Sequence, residues 1–228
     1  MMEKPINQSK CLSVTPAPQD TVWWLPRHEA KLAEKNTMDR VDLVFLGDSI
    51  TQAWEKEGAD VWEAFYQPRH ALNLGFNGDR TEHVLWRLAH GEIDNIQPKL
   101  LVLLVGTNNA GHRMDKAEDT ALGIKTILDV LGEKLPRTKI LLLAVFPRSA
   151  KPTQKLRVLN EQVNQIIRTY ADEKRVFFLD INHQFLDENG RLTSDVMNDF
   201  LHPNANQYRV FAEAIESHLQ RLLASPFS

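Results

Sequence analysis

The sequence predicts an α/β fold, a three-layer α/β/α sandwich around a five-stranded parallel sheet in the order 2-1-3-4-5. Three observations lead there. Short apolar runs alternate with helical patterns of ten residues or more, the rhythm of strand-helix-strand units. The runs at residues 100–105 and 139–145 are almost uniformly apolar, as strands covered on both faces must be. Right-handed crossovers then leave few topologies, of which 2-1-3-4-5 is the commonest.

Residues 1–20 read as an irregular arm and 21–228 as a single domain, long enough to bury a continuous core. Trp23 and Trp24 lead into an amphipathic helical pattern through Arg27, His28, Ala30, Leu32 and Ala33. Such a helix covers an edge or underside of the sheet, or serves as a contact between copies of the chain. The first strand, 41–46, ends at Gly47-Asp48-Ser49 and passes into a short helix reaching residue 57 and bearing Trp54. The second, 70–74, ends at Gly75-Phe76-Asn77-Gly78-Asp79-Arg80, and a helix over 81–89 follows, with Val84, Leu85 and Leu88 on one face. The third, 100–105, stops at Gly106-Thr107-Asn108-Asn109, with helix over 116–134. Pro147 ends the fourth, 139–145, because proline cannot donate to the ladder. Helix over 153–174 carries Leu156, Leu159, Val163, Ile166 and Ile167; strand 176–179 and a helix over 204–223 complete the pattern.

Bulk properties exclude several classes. The 228 residues are 43% hydrophobic and 25% charged, as in a globular protein, and a net charge of −3 provides no basic stripe for nucleic acid. No run approaches the roughly 18 apolar residues of a membrane span. Cys11 has no partner for an internal disulfide, and the first ten residues lack the apolar core of a signal peptide, so a cytoplasmic location is expected. Asn7-Gln8-Ser9 fits the glycosylation pattern, which matters only in a secreted chain. His28, His70, His83, His90, His112, His183 and His218 show no ligand spacing, so neither metal nor other cofactor is expected.

Each of the first three strands ends in glycine and small polar residues, and in this topology those ends are neighbours at one rim. Ser49 reads either as a helix N-cap or as a nucleophile held on a rigid support. Near the C-terminus, Asp199-Phe200-Leu201-His202 places a carboxylate three residues ahead of an imidazole. The aspartate can bend back to accept from Nδ1, fixing the tautomer that leaves Nε2 free to take a serine proton. Acyl transfer also needs donors for a developing oxyanion. The Ser49 and Gly75 backbone N–H groups and the Asn108 side-chain amide are the candidates. Glycine suits this because backbone without Cβ can approach a substrate closely.

The set Ser49, Gly75, Asn108 and His202, each in its own block, resembles the SGNH or GDSL-type hydrolases. More narrowly, residues 73–81, 84–88, 91–94, 98–99 and 106–109 are similar to the catalytic subunits of intracellular platelet-activating-factor acetylhydrolase. The resemblance implies a flavodoxin-like fold and metal-independent hydrolysis of a small-molecule ester through an acyl-serine. It makes Ser49 the nucleophile, His202 the base and Asp199 its partner, with Ser49, Gly75 and Asn108 as oxyanion hole. Ile50, Thr107 and Leu201 fall where those subunits line a small acyl pocket, implying acetyl or similarly short groups; a homodimer is implied as well. An acetylated sugar as substrate and a non-catalytic, partner-binding relative are the alternatives. Ile50 stands where the family name has leucine, and Asn77 and Gln207 where relatives often carry glycine.

Structural roles are expected for other polar residues. Asp48 should bond loop amides and hold its turn, Asp79 and Arg80 should pair beneath the second loop, and Asn109 should stabilise its own loop. Glu92 and Asp94, beyond a helix rather than at a strand end, read as a solvated turn.

Overall fold

The computed structural model describes residues 11–225. The Asn7-Gln8-Ser9 pattern and the first half of the expected arm lie outside them. Five strands, β1 (Leu43–Gly47), β2 (Ala71–Gly75), β3 (Leu100–Leu104), β4 (Lys139–Leu143) and β5 (Val176–Leu179), form one sheet in the order β2-β1-β3-β4-β5. Every neighbouring pair is parallel. Gly47 pairs in register with Gly75, so the first two strands reach the same rim together.

Among the described residues eight α-helices surround the sheet: α1 (Trp24–Thr37), α2 (Ser49–Gln52), α3 (Ala59–Phe65), α4 (Thr81–Ala89), α5 (Thr107–Arg113), α6 (Ala117–Lys134), α7 (Lys155–Ile167) and α8 (Ala205–Ala224). Alternating strand residues divide the core in two. Val44, Leu46, Leu72, Leu74, Leu101 and Leu103 pack with α4, α6 and α7 residues such as Leu88, Ile127 and Val163. Phe45, Val102, Leu104 and Leu141 pack on the other side with Trp54, Tyr66, Phe211 and Ile215. The α8 stripe Tyr208, Phe211, Ala212, Ile215, Leu219 and Leu222 recurs at three- and four-residue steps, which is why a long helix covers that face. Truncating one such buried residue to alanine costs about 2–5 kcal/mol. Trp24 docks α1 on α4, its ring 5.1 Å from that of Trp86.

Two helices differ from the sequence expectation, and two were not expected. The helix after Ser49 is one turn of α-helix continued by a 3-10 turn, Ala53–Glu55. The long helix ends at Ile167 and tightens into a 3-10 turn, Arg168–Tyr170. The sequence pattern does not reveal helices α3 and α5, because Gly58 precedes one and Asn108, Asn109 and Gly111 sit inside the other, all weak helix formers.

Residues 11–20 lie on the body of the domain. Ser13 is buried, its carbonyl accepts from Thr81 Oγ1 at 2.8 Å, and Ala17 N–H donates to the Glu82 carbonyl at 3.2 Å. Among the described residues no helix is long and apolar enough to cross a membrane.

Candidate active site

β1 brings the chain to the rim, and one residue later α2 begins. Asp48 caps that helix by accepting from the Ile50 N–H at 3.0 Å. Ser49 thus stands at the first helical position, and its own N–H has no acceptor among the described residues. Full burial lifts the Asp48 carboxyl to about 7 despite the Ile50 amide and the nearby His202.

His202 reaches Ser49 from the approach to α8. Asp199 accepts from the Leu201 and His202 backbone N–H groups at 3.0 and 2.8 Å, an Asx-type turn that bends the chain through Phe200 at φ +57°. Ser149 N–H holds this turn by donating to the Phe200 carbonyl at 2.8 Å. The other Asp199 oxygen lies 2.6 Å from His202 Nδ1, and His202 Nε2 lies 2.8 Å from Ser49 Oγ. Because Nδ1 faces a carboxylate it carries the hydrogen, leaving Nε2 to accept from the serine. Burial draws the Asp199 carboxyl up, but the hydrogen bonds from His202 and Leu201 outweigh it and hold the group below its ordinary value. Tyr208 of α8 donates to the Ile50 carbonyl at 2.7 Å, tying the helix behind His202 to the one that carries Ser49.

The sequence expectation for Gly75 needs correction. Its N–H donates to Asn73 Oδ1 at 2.8 Å, and its carbonyl accepts from Arg27. A Cβ at this position would fall 2.1 Å from the Gln52 backbone nitrogen, so glycine lets α2, rather than a ligand, lie against the end of β2. In the loop that follows, Phe76 N–H bonds Gly47, Asn77 N–H bonds Gln52 Oε1, and Asp79 N–H closes a turn on the Phe76 carbonyl at 3.1 Å. Gly78, at φ +74°, is the loop residue whose N–H has no acceptor among the described residues. A turn that demands positive φ at its third residue is what places glycine there. Asn108 Nδ2 donates one hydrogen to the adjacent Asp79 carbonyl at 3.0 Å, and its second remains for another acceptor. Ser49, Gly78 and Asn108, which follow three strand ends, therefore each keep a hydrogen without an acceptor among the described residues; the signal that could have found Gly78 was the Asn77-Gly78 turn dipeptide.

Beside Ser49 and His202 opens a cavity of about 310 Å³, lined also by Gln52, Ala53, Lys56, Glu57, Asn77 and Asp199. Ile50 and Thr107, expected at an acyl pocket, are fully buried, and Leu201 is half-buried; none of the three lines this opening. Ile50 packs into the core with Trp54, and Thr107 Oγ1 accepts from Arg148 and Asn160.

The polar surroundings differ from expectation as well. Asp79 pairs with Arg87 at 2.8 Å, not with Arg80, whose partner is Glu82. Glu92 is buried against the same Arg87, so of the two carboxylates Asp94 alone is solvated, where it meets Lys134. Neighbours in sequence face apart, whereas Arg87 returns from α4 beneath the loop and also donates to the Leu74 and Gly47 carbonyls. Asn109 reaches beyond its own loop to Thr81, Ser13 and Asp115. Among the described residues no group of three or more His, Cys, Asp or Glu side chains is arranged to hold a metal ion.

Fold and site together define a parallel α/β protein with a hydrogen-bonded serine, histidine and aspartate at the carboxyl rim of its sheet. The chain belongs to the GDSL-like lipase/acylhydrolase family, which it matches over residues 45–210. It is 38% identical to the human platelet-activating factor acetylhydrolase IB subunit alpha1 over 202 residues, 88% of this chain and 84% of that one. It is 35% identical to the rat alpha2 subunit over 201 residues, 88% and 85% of the respective chains. Among solved structures, a GDSL-like lipase from Bacteroides thetaiotaomicron shares the fold with a TM-score of 0.71 at 19% identity, covering 85% of this chain and 97% of its own. An acetylxylan esterase from Geobacillus stearothermophilus does so with a TM-score of 0.63 at 16% identity, covering 83% and 98%.

Proposed function

We propose that the protein is a serine esterase that removes short acyl groups, acetyl foremost, from a small-molecule ester. The observation that carries this is the chain of contacts from Ser49 Oγ through His202 to Asp199, with both links within hydrogen-bond reach. In the first half-reaction Ser49 Oγ attacks the ester carbonyl carbon while its proton passes to His202 Nε2. The oxyanion is received by the N–H groups of Ser49 and Gly78 and the free hydrogen of Asn108 Nδ2. As the C–O bond breaks, His202 returns the proton to the departing alcohol. Water, deprotonated by the same imidazole, then releases the acid and restores Ser49.

The acetyl preference is supported by the likeness to subunits named platelet-activating factor acetylhydrolase. An acetylated carbohydrate is the second reading, favoured by the polar residues at the cavity, where Gln52, Lys56, Glu57 and Asn77 join a single small apolar residue, Ala53. The proposal extends to a homodimer, since those relatives are named as subunits, and to the cytoplasm, given the single cysteine. Light scattering and cell fractionation test these two points.

A fluorophosphonate probe, followed by mapping of the modified peptide, tests the chemistry. Label on Ser49 that is lost in Ser49→Ala, with turnover of p-nitrophenyl acetate falling by several orders of magnitude in that variant, is the expected result. Equal turnover in Ser49→Ala would end the reading. Rates on acetylated lipids against acetylated glycans decide between the two substrates.

A further inference from the structure

Gly78 occupies a backbone conformation in which glycine is freest, so a donor at this position is worth little for catalysis unless something holds the loop. The bonds within the loop do part of this. The Phe76–Asp79 turn bond and the bond from Asn77 N–H to Gln52 fix its two shoulders. One further side chain comes from outside. Gln19 Nε2 donates one hydrogen to the Asn77 carbonyl at 2.9 Å and the other to Asp79 Oδ1 at 2.6 Å. Both partners are acceptors, so the network itself sets which end of the Gln19 amide is nitrogen. These two acceptors belong to the residues on either side of Gly78, and a Cβ on Gly78 would sit 3.6 Å from Gln19 Oε1.

We propose that Gln19 is a positioning residue for the proposed reaction, strapping the Asn77-Gly78-Asp79 loop so that the Gly78 N–H stays aimed at the oxyanion. This rests on the esterase reading and on Gly78 as one of its donors. Asp79 Oδ1 also accepts from Trp24 Nε1 at 2.7 Å, which anchors the far end of the same segment. The strap is thus a short stretch, from Gln19 to Trp24, laid over the loop from outside. It lies ahead of residues 45–210, the part of the chain that matches the family.

The test uses three variants of the full chain: Gln19→Met, which keeps the length and removes both donors; Gln19→Glu; and Asn108→Ala as a reference for loss of an oxyanion donor. Turnover of p-nitrophenyl acetate is expressed per serine titrated with a phosphonate, so that unfolded protein does not count. Displacements on the order of 1 Å near reacting groups cost up to about a hundredfold. Gln19→Met is expected to lower kcat about tenfold with KM changed less than twofold, the signature of an interaction used only in the transition state. Gln19→Glu should fall further, because a carboxylate would then face the Asp79 carboxylate and the Asn77 carbonyl. Wild-type kcat in Gln19→Met, or a loss confined to KM, overturns the strap while Asn108→Ala and Ser49→Ala still report on the esterase. Absence of any Ser49-dependent ester turnover in the unmodified protein would sink both.

Discussion

Replacing Asn108 by alanine removes the one side-chain donor of the proposed oxyanion hole. Its amide has two hydrogens, and the structure commits one of them to the Asp79 carbonyl at 3.0 Å. The second is lost to catalysis in the variant. A single preorganised donor of this kind is worth about 2.7–4 kcal/mol in the transition state, a factor of roughly 100 to 1,000 in kcat. KM should change little, because a ground-state ester carbonyl bonds weakly to the same group. The first hydrogen carries a separate cost. Asn108 is buried, so truncation leaves the Asp79 carbonyl without that partner, at about 1–3 kcal/mol. For a domain of this size that lowers Tm by roughly 2–12 °C. Initial rates on p-nitrophenyl acetate and thermal unfolding followed by circular dichroism separate the two effects. Asn108→Asp sharpens the comparison, since it keeps the shape but sets an acceptor where a donor belongs, and should be the slower enzyme. A kcat within threefold of wild type in Asn108→Ala, in a folded protein, would remove Asn108 from the mechanism.

Three further outcomes follow from named contacts. Asp48 is protonated in the folded protein up to about 7 but ionises near 3.8 when unfolded, so folded-state stability falls as pH rises between those values. Asp48→Asn, whose amide oxygen can still accept from Ile50, should therefore match wild type at pH 4 and exceed it at pH 8, by on the order of 4 kcal/mol at most; parallel Tm curves for the two proteins across that range would refute this. Arg87→Met strands Asp79 and Glu92, both fully buried, and should cost about 3–5 kcal/mol, visible as a fall in the urea midpoint. Gly78→Ala forces a Cβ into φ +74° at about 1–2 kcal/mol and should lower kcat more than KM, as steady-state rates on p-nitrophenyl acetate will report.

What the sequence makes legible is what periodicity and strand-end composition encode. Uniformly apolar runs at β3 and β4, amphipathic steps at α4 and α7 and parallel crossovers define the sheet order. The spacing of Asp199 and His202 contains its own geometry, because a carboxylate three residues ahead can cap the turn that presents the imidazole. Helix α5 was illegible for the opposite reason. Its residues Asn108, Asn109 and Gly111 disfavour helix, and the segment is held instead by contacts from far along the chain, such as Asn109 with Thr81 and Ser13.

The two glycines of the second loop show where composition stops deciding. Gly75 and Gly78 are three residues apart, and each could expose a backbone N–H; the Asn77-Gly78 dipeptide marks a turn without showing which amide the fold leaves free. The choice is made by two contacts between separate segments. Packing of α2 on the end of β2 consumes Gly75, since any Cβ would strike the Gln52 backbone. The turn closed by Asp79 then swings Gly78 outward, and the carboxylate of that same Asp79 is satisfied from below by Arg87 and from above by Trp24 and Gln19. Asp79 thus joins the strand that leads to Ser49, through Arg87 and the Gly47 carbonyl, to the third strand end, through Asn108. A buried carboxylate with this many donors resists displacement, because moving the loop would leave several charged or polar groups unpaired at once. Rigidity where an oxyanion would be received is therefore a consequence of burying Asp79. It also requires that changes to its partners alter kcat before they alter substrate affinity.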